Sequence, residues 1–186
     1  MSVVALWLPI LASAVAAFVV SSIIHMGPFW HRTDYPRYAA EDRVLDALRS
    51  LGLPAGEYMM PRPANPAEMR SPEFIEKMKR GPAVLMTIFP PWSGSMAGNL
   101  VQWFVYCLVV SVFAAYITGA ALPAGTATPL AICRFAGTTA FIGYVLALWQ
   151  LKIWFRRSWD ITLKSTLDGL IYATVTCGVF IWLWPS

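Results

Sequence analysis

The chain alternates between long uncharged stretches and shorter segments in which polar and apolar residues interleave. Residues 3–24 carry no charge, and residues 98–121 are interrupted mainly by Gln102. Residues 129–151 hold Arg134 near their start, and residues 165–184 run into a Trp-rich end. A helix needs about 20 mostly apolar residues to cross a hydrocarbon core roughly 30 Å thick. These four stretches therefore predict four transmembrane helices. A fifth apolar stretch, AVLMTIF at residues 83–89, is too short to span and is pinned between Gly81-Pro82 and Pro90-Pro91. It predicts an interfacial segment or a short strand.

Between the first two stretches the period changes. Tyr38, Val44, Leu45, Leu48 and Leu51 recur at spacings that place them on one helical face. Pro36 suits the first turn of that helix, and Gly52 followed by Pro54 suits its end. A second helix is predicted from Ser71, whose hydroxyl can cap it, with Pro72 and Glu73 in its first turn. Lys77, Lys79 and Arg80 complement its C-terminus before Gly81-Pro82 stops it. The intervening GEYMMPRPANPAEMR is rich in proline and predicts a linker without regular structure. Two short helices and a linker make too small a core to fold firmly alone, so the segment is expected to pack on a membrane face or a partner. The stretch WSGSMAGN at residues 92–99 lacks the pattern and the lysine of a phosphate loop. It reads as a hinge: Gly94 and Gly98 permit unusual backbone angles, Ser95 or Asn99 can cap the next helix, and Trp92 can anchor at the headgroup level.

Composition agrees with the membrane reading. Only 13% of the 186 residues are charged and 58% are hydrophobic, whereas soluble domains carry about 25% charged residues. The net charge of +4 does not point to nucleic acid, because its position decides the matter. Lys152, Arg156, Arg157 and Lys164 lie between the third and fourth stretches, while LPAGTAT between the second and third is uncharged. Arg32, Arg37 and Arg43 follow the first stretch, and Lys77, Lys79 and Arg80 lead to the second. Positively charged flanks stay in the cytoplasm, so both termini are expected outside, with residues 25–97 inside. A signal peptide cut near Ala12-Ser13-Ala14 is the competing reading of the first stretch. The lack of a positive region before it argues against that reading.

Residues able to do chemistry are few. Cys107, Cys133 and Cys177 all sit inside apolar runs and read as small buried hydrophobes, without a disulfide framework or zinc site. His25 and His31 both fall at one end of the first helix, so a pair of facing haem ligands is excluded. A metal site of His25, His31 and Asp34 is the alternative to plain interfacial histidines, and the interfacial reading is preferred. No cofactor, metal site or catalytic set is expected. Ionisable residues inside spans are costly and draw attention. Asp168 is expected to pair with Lys164 one turn earlier, or with Lys152 or Arg156 across the loop. Arg134 is expected to snorkel to headgroups or to meet an acidic partner. With Trp92, Trp182 and Trp184, these residues make up the expected lipid or partner contacts. Small residues four apart (Ser13, Ala17 and Ser21; Ala115 and Gly119; Thr139, Gly143 and Ala147; Thr174 and Gly178) allow close helix approach.

The stretches PEFIEKMKRGP, AYITGAAL, CRFAGTTAFIGY, KIWFRRSW and SWDITLKSTLDGLIYATVTCGVFIWLWP together resemble a family of small, uncharacterised bacterial membrane proteins, over residues 55–186. The resemblance implies a bacterial inner-membrane protein of several spans and no activity. The expectation is an all-α integral membrane protein with a first transmembrane helix (residues 1–24), a cytoplasmic helical segment (25–97) and a three-helix transmembrane region (98–186). Its expected role is that of a non-catalytic accessory, assembly or stabilising subunit of a membrane complex. A small oligomeric transporter or channel using Arg134 and Gln102 is the alternative, and a lipid enzyme would need His25, His31 and Asp34 together.

Overall fold

The computed structural model describes residues 1–27, 30–91 and 94–185, in two compact units, Met1–Pro36 with Met96–Ser186, and Arg37–Ser95. Four helices are long and apolar enough to cross a membrane: Val4–Met26, Ala97–Ala121, Pro129–Phe155 and Trp159–Trp182. All belong to the first unit. A 3₁₀ turn at Val4–Leu6 leads into α1 (Trp7–Met26), and a second at Trp30–Thr33 follows it.

The second unit holds α2 (Glu41–Leu51), β1 (Gly56–Met60), α3 (Pro66–Met69), α4 (Pro72–Arg80) and β2 (Val84–Ile88). The chain continues through α5 (Ala97–Ala121), α6 (Pro129–Phe141), a π-helical turn at Ile142–Leu146, α7 (Ala147–Phe155) and α8 (Trp159–Trp182).

The bundle is a ring of neighbours in which α1 packs on α5, α5 on α6, α6 on α8 and α8 on α1. Small residues make this possible. Ser13, Ala14, Ala17, Ala114, Ala115, Ala136 and Ala140 are buried at the contacts, and Ser13 Oγ donates to Ser111 Oγ at 3.0 Å. Gly119 sits so close to the start of the chain that an added Cβ would lie 3.0 Å from Leu6. Large apolar residues such as Trp7, Val19, Phe113, Tyr116 and Leu170 point outward.

Several helix ends follow local rules. Thr128 caps α6 through Ala131 N–H with Pro129 in the first turn, and Ser158 caps α8 through Ile161 N–H with Asp160 behind it. Arg156 (φ 55°) closes α7 in the left-handed region. The third and fourth long helices therefore run further than the apolar pattern indicates, and the expected basic loop shrinks to Arg156, Arg157 and Ser158. Lys152 and Lys164 are helical.

In the second unit the expected Pro-rich linker is instead structured. Gly56–Met60 pairs antiparallel with Val84–Ile88, Tyr58 opposite Met86, so AVLMTIF forms a strand. Sequence periodicity hides this strand because its partner lies about 28 residues downstream. Asn65 caps the short α3, Ser71 caps α4 through Phe74 N–H, and Gly52 closes α2 in the left-handed region as expected. The first of these helices begins at Glu41 rather than Pro36. Among the described residues of Arg37–Ser95, none is buried.

Two further expectations fail. Cys133 and Cys177 form a disulfide between α6 and α8, with Cα atoms 4.8 Å apart, and Cys107 alone is a free buried thiol. The 44-residue separation conceals the pair, which only the packing of the two helices brings into register. Helix α5 starts from Met96, whose side chain makes no cap hydrogen bond. Gly94 does take a positive φ of 82°, whereas Gly98 is ordinary helix.

Candidate functional site

The polar centre of the bundle lies where α1 ends and α8 begins. The last turn of α1 carries His25, and the Trp30–Thr33 turn folds His31 back against it, so that the two imidazoles stack with centroids 4.5 Å apart and planes within 10°. Asp34 follows the turn directly. From α8 come Lys164 and, one turn later on the same face, Asp168.

His31 is the hub. Its Nδ1 donates to Asp34 Oδ2 and its Nε2 to Asp168 Oδ2, both at 2.8 Å. The ring is thus held between two carboxylates, one at each of its nitrogens. Trp30 Nε1 donates to the other Asp168 oxygen at 3.2 Å, so both oxygens of that buried carboxylate are satisfied, as burial of a charge requires. Lys164 Nζ donates to Asp34 Oδ1 at 3.0 Å, to Thr33 Oγ1 at 2.9 Å and to Asp160 Oδ2 at 2.7 Å. Burial acts to raise the Asp34 pKa, but His31 and Lys164 outweigh it and hold the carboxyl below its ordinary value. His25 Nδ1 donates to the Ser21 carbonyl at 2.9 Å, which leaves Nε2 as its unanchored nitrogen.

A cavity of about 780 Å³ adjoins this centre. Its polar lip is His25, Asp168, Ser165 and Asn99, and its wall is Trp103, Tyr106, Tyr144 and Tyr172. The aromatic wall is a connected set of ring contacts, Trp103 meeting Tyr106, Tyr144 and Tyr172 within 6.2 Å. Trp103 is oriented by donating to Ser21 Oγ at 2.7 Å. The buried hydroxyl of Tyr172 has no hydrogen-bond partner among the described residues.

The π-helical turn opposite carries Tyr144, and such bulges often mark functional sites. It meets α8 at Gly169, where a Cβ would stand 2.3 Å from Val145. That close approach seats Asp168 at the cavity edge.

The expected pairing of Asp168 is thus corrected: it meets His31 and Trp30, while Lys164 turns to Asp34 and Asp160. Lys152 instead stands 4.6 Å over the Trp159 ring. Arg156 is an exposed helix cap, and Arg134 is exposed at a groove of about 430 Å³ between α6 and α8. Trp182 is fully outward, and Trp184 Nε1 donates to the Pro123 carbonyl at 3.4 Å. Trp92 lies outside the described residues. The metal alternative named His25, His31 and Asp34; the fold places Asp168 in the third position and Asp34 behind His31. The sequence signal was an aspartate inside an apolar helix, but its partner lay 137 residues away. Comparison with known protein families, characterised proteins and solved structures finds no match.

Proposed function

We propose that the chain is an integral protein of the bacterial inner membrane that works as an accessory or stabilising subunit of a membrane-protein complex. The observation that carries this is the exposed apolar surface of Arg37–Ser95. Its helices are amphipathic, yet Val44, Leu45, Leu51, Ile75, Met78, Val84 and Leu85 all remain exposed. Tyr38, Val44, Leu48 and Leu51 line an open groove of about 430 Å³ along α2. Exposed apolar side chains lining a groove are a feature of association sites. Eight basic and seven acidic side chains nearly cancel in this unit, so an anionic lipid surface gains little by attracting it. A protein surface is the better occupant.

The four apolar helices with outward-facing Trp, Phe, Leu and Val support membrane insertion. The Cys133–Cys177 bridge joins the start of α6 to the end of α8, and disulfides persist in oxidising compartments. It therefore supports the same orientation as the basic flanks, with that end outside and the His31 end toward the cytoplasm.

Extraction of the native protein into lipid nanodiscs and mass spectrometry of co-purifying chains tests the proposal. A stoichiometric membrane-protein partner, lost on Val44→Glu with Leu48→Glu, is the expected result. Isolation alone, or as a homo-oligomer, overturns it. The cavity beside Asp168 favours a second reading, a small transporter of amphipathic molecules, for which uptake into vesicles sensitive to Tyr172→Phe and Asp168→Asn is the corresponding test.

A further inference from the structure

We propose that His25, His31 and Asp168 form a binding site for one divalent transition-metal cation of the zinc class, facing the aromatic cavity. One ligand atom from each of the three lies within 4.8 Å of the other two. Two imidazoles and a carboxylate suit zinc and its neighbours, and leave a fourth position for water or a ligand from the cavity.

The surroundings of the three side chains are those of a metal site. Metal-bound histidines almost always donate their second nitrogen to a carboxylate or backbone carbonyl, which orients the ring. Here His31 Nδ1 donates to Asp34 at 2.8 Å and His25 Nδ1 to the Ser21 carbonyl at 2.9 Å. Both Nε2 atoms are thereby the ones left to bind. The Asp168 carboxylate is itself fixed by Trp30 Nε1 on one oxygen, leaving the oxygen that faces His31. Lys164 holds Asp34 from behind, so the outer carboxylate is positioned too.

In the metal-free arrangement His31 Nε2 hydrogen-bonds to Asp168 Oδ2 across the site. Loading replaces that hydrogen bond: the cation bonds to Nε2 and Oδ2, and the proton leaves to water. A cation lies in the plane of each imidazole it binds, whereas the two rings are stacked. His25, the exposed member, therefore turns out of the stack on loading.

The test uses tag-free full-length protein in nanodiscs, stripped with chelator and titrated with Zn²⁺ or Co²⁺ alone. The expected result is one ion per chain, and with Co²⁺ an intense visible absorption of a four-coordinate site. His25→Ala, which removes an exposed ligand without touching the His31 ion pairs, weakens Zn²⁺ binding at least a hundredfold. Asp34→Asn weakens it about 10–100-fold, the usual loss for an outer partner. The proposal is overturned by substoichiometric binding, by the weak spectrum of hexaaqua cobalt, or by unchanged affinity in His25→Ala.

Discussion

At the scale of single residues, the decisive feature is a charge buried where its partners are remote in sequence. Asp168 is 4% exposed, and its two oxygens accept from His31 and Trp30. Removing one member of a buried pair leaves the other uncompensated, at a cost of about 3–5 kcal/mol. Asp168→Asn is therefore expected to lower the thermal midpoint in detergent sharply. Asp160, whose side chain is 63% exposed, holds Lys164 from the solvent side, and Asp160→Asn is expected to leave the midpoint almost unmoved, because exposed pairs contribute little. Equal shifts in the two variants would refute the central place given to the His31–Asp168 pair. Asp168 stood out in the sequence as an acid inside an apolar run, and that part was legible. Its lysine at i−4 was the obvious partner by helical spacing, yet Lys164 is drawn to Asp34, which the sequence puts 130 residues away.

At the scale of elements, small residues decide which helix faces meet. Gly169 and Gly178 both sit on α8, and the sequence does not distinguish their roles. An added Cβ at Gly169 would strike Val145, itself 1% exposed and unable to move aside, whereas at Gly178 it would meet nothing within 4 Å. Overpacking of that kind costs about 1–3 kcal/mol. Gly169→Ala should destabilise the isolated chain by that amount and displace Asp168, while Gly178→Ala should gain up to about 1 kcal/mol from helix propensity. Thermal unfolding of the two variants side by side checks this, and a stable Gly169→Ala would mean that α8 and the π-helical turn are not in close contact. The spacing of Ser13, Ala17 and Ser21 does mark a packing face, since all three are buried in α1. Thr174 and Gly178 have the same spacing but are exposed. Spacing identifies a face that can approach closely; the neighbours determine whether it does.

At the scale of the whole molecule, the two ends of the bundle differ in chemistry. One end holds the Cys133–Cys177 bridge and the uncharged α5–α6 connection, and the other holds His25, His31, Asp34, Lys164 and Asp168. With the basic flanks inward, trypsin added to inside-out membrane vesicles should cut within Arg37–Ser95, and trypsin outside right-side-out vesicles or cells should not. Cleavage from the outer side alone would reverse the proposed orientation. The near-neutral charge of that unit and its exposed apolar side chains are the features on which the proposed protein partner rests.

The amino-acid sequence by itself determined the four long apolar helices and the caps at Ser71 and Gly52, because hydrophobic period and turn chemistry act over a few residues. It also carried the expectation of direction, through Arg32, Lys152 and Arg156. Only the tertiary structure decided that Cys133 meets Cys177, that Gly56–Met60 pairs with Val84–Ile88, and that His31 joins Asp34 to Asp168. Each of these depends on two segments far apart in the chain lying at one depth and one rotation, which helix packing and strand register set and no local pattern encodes.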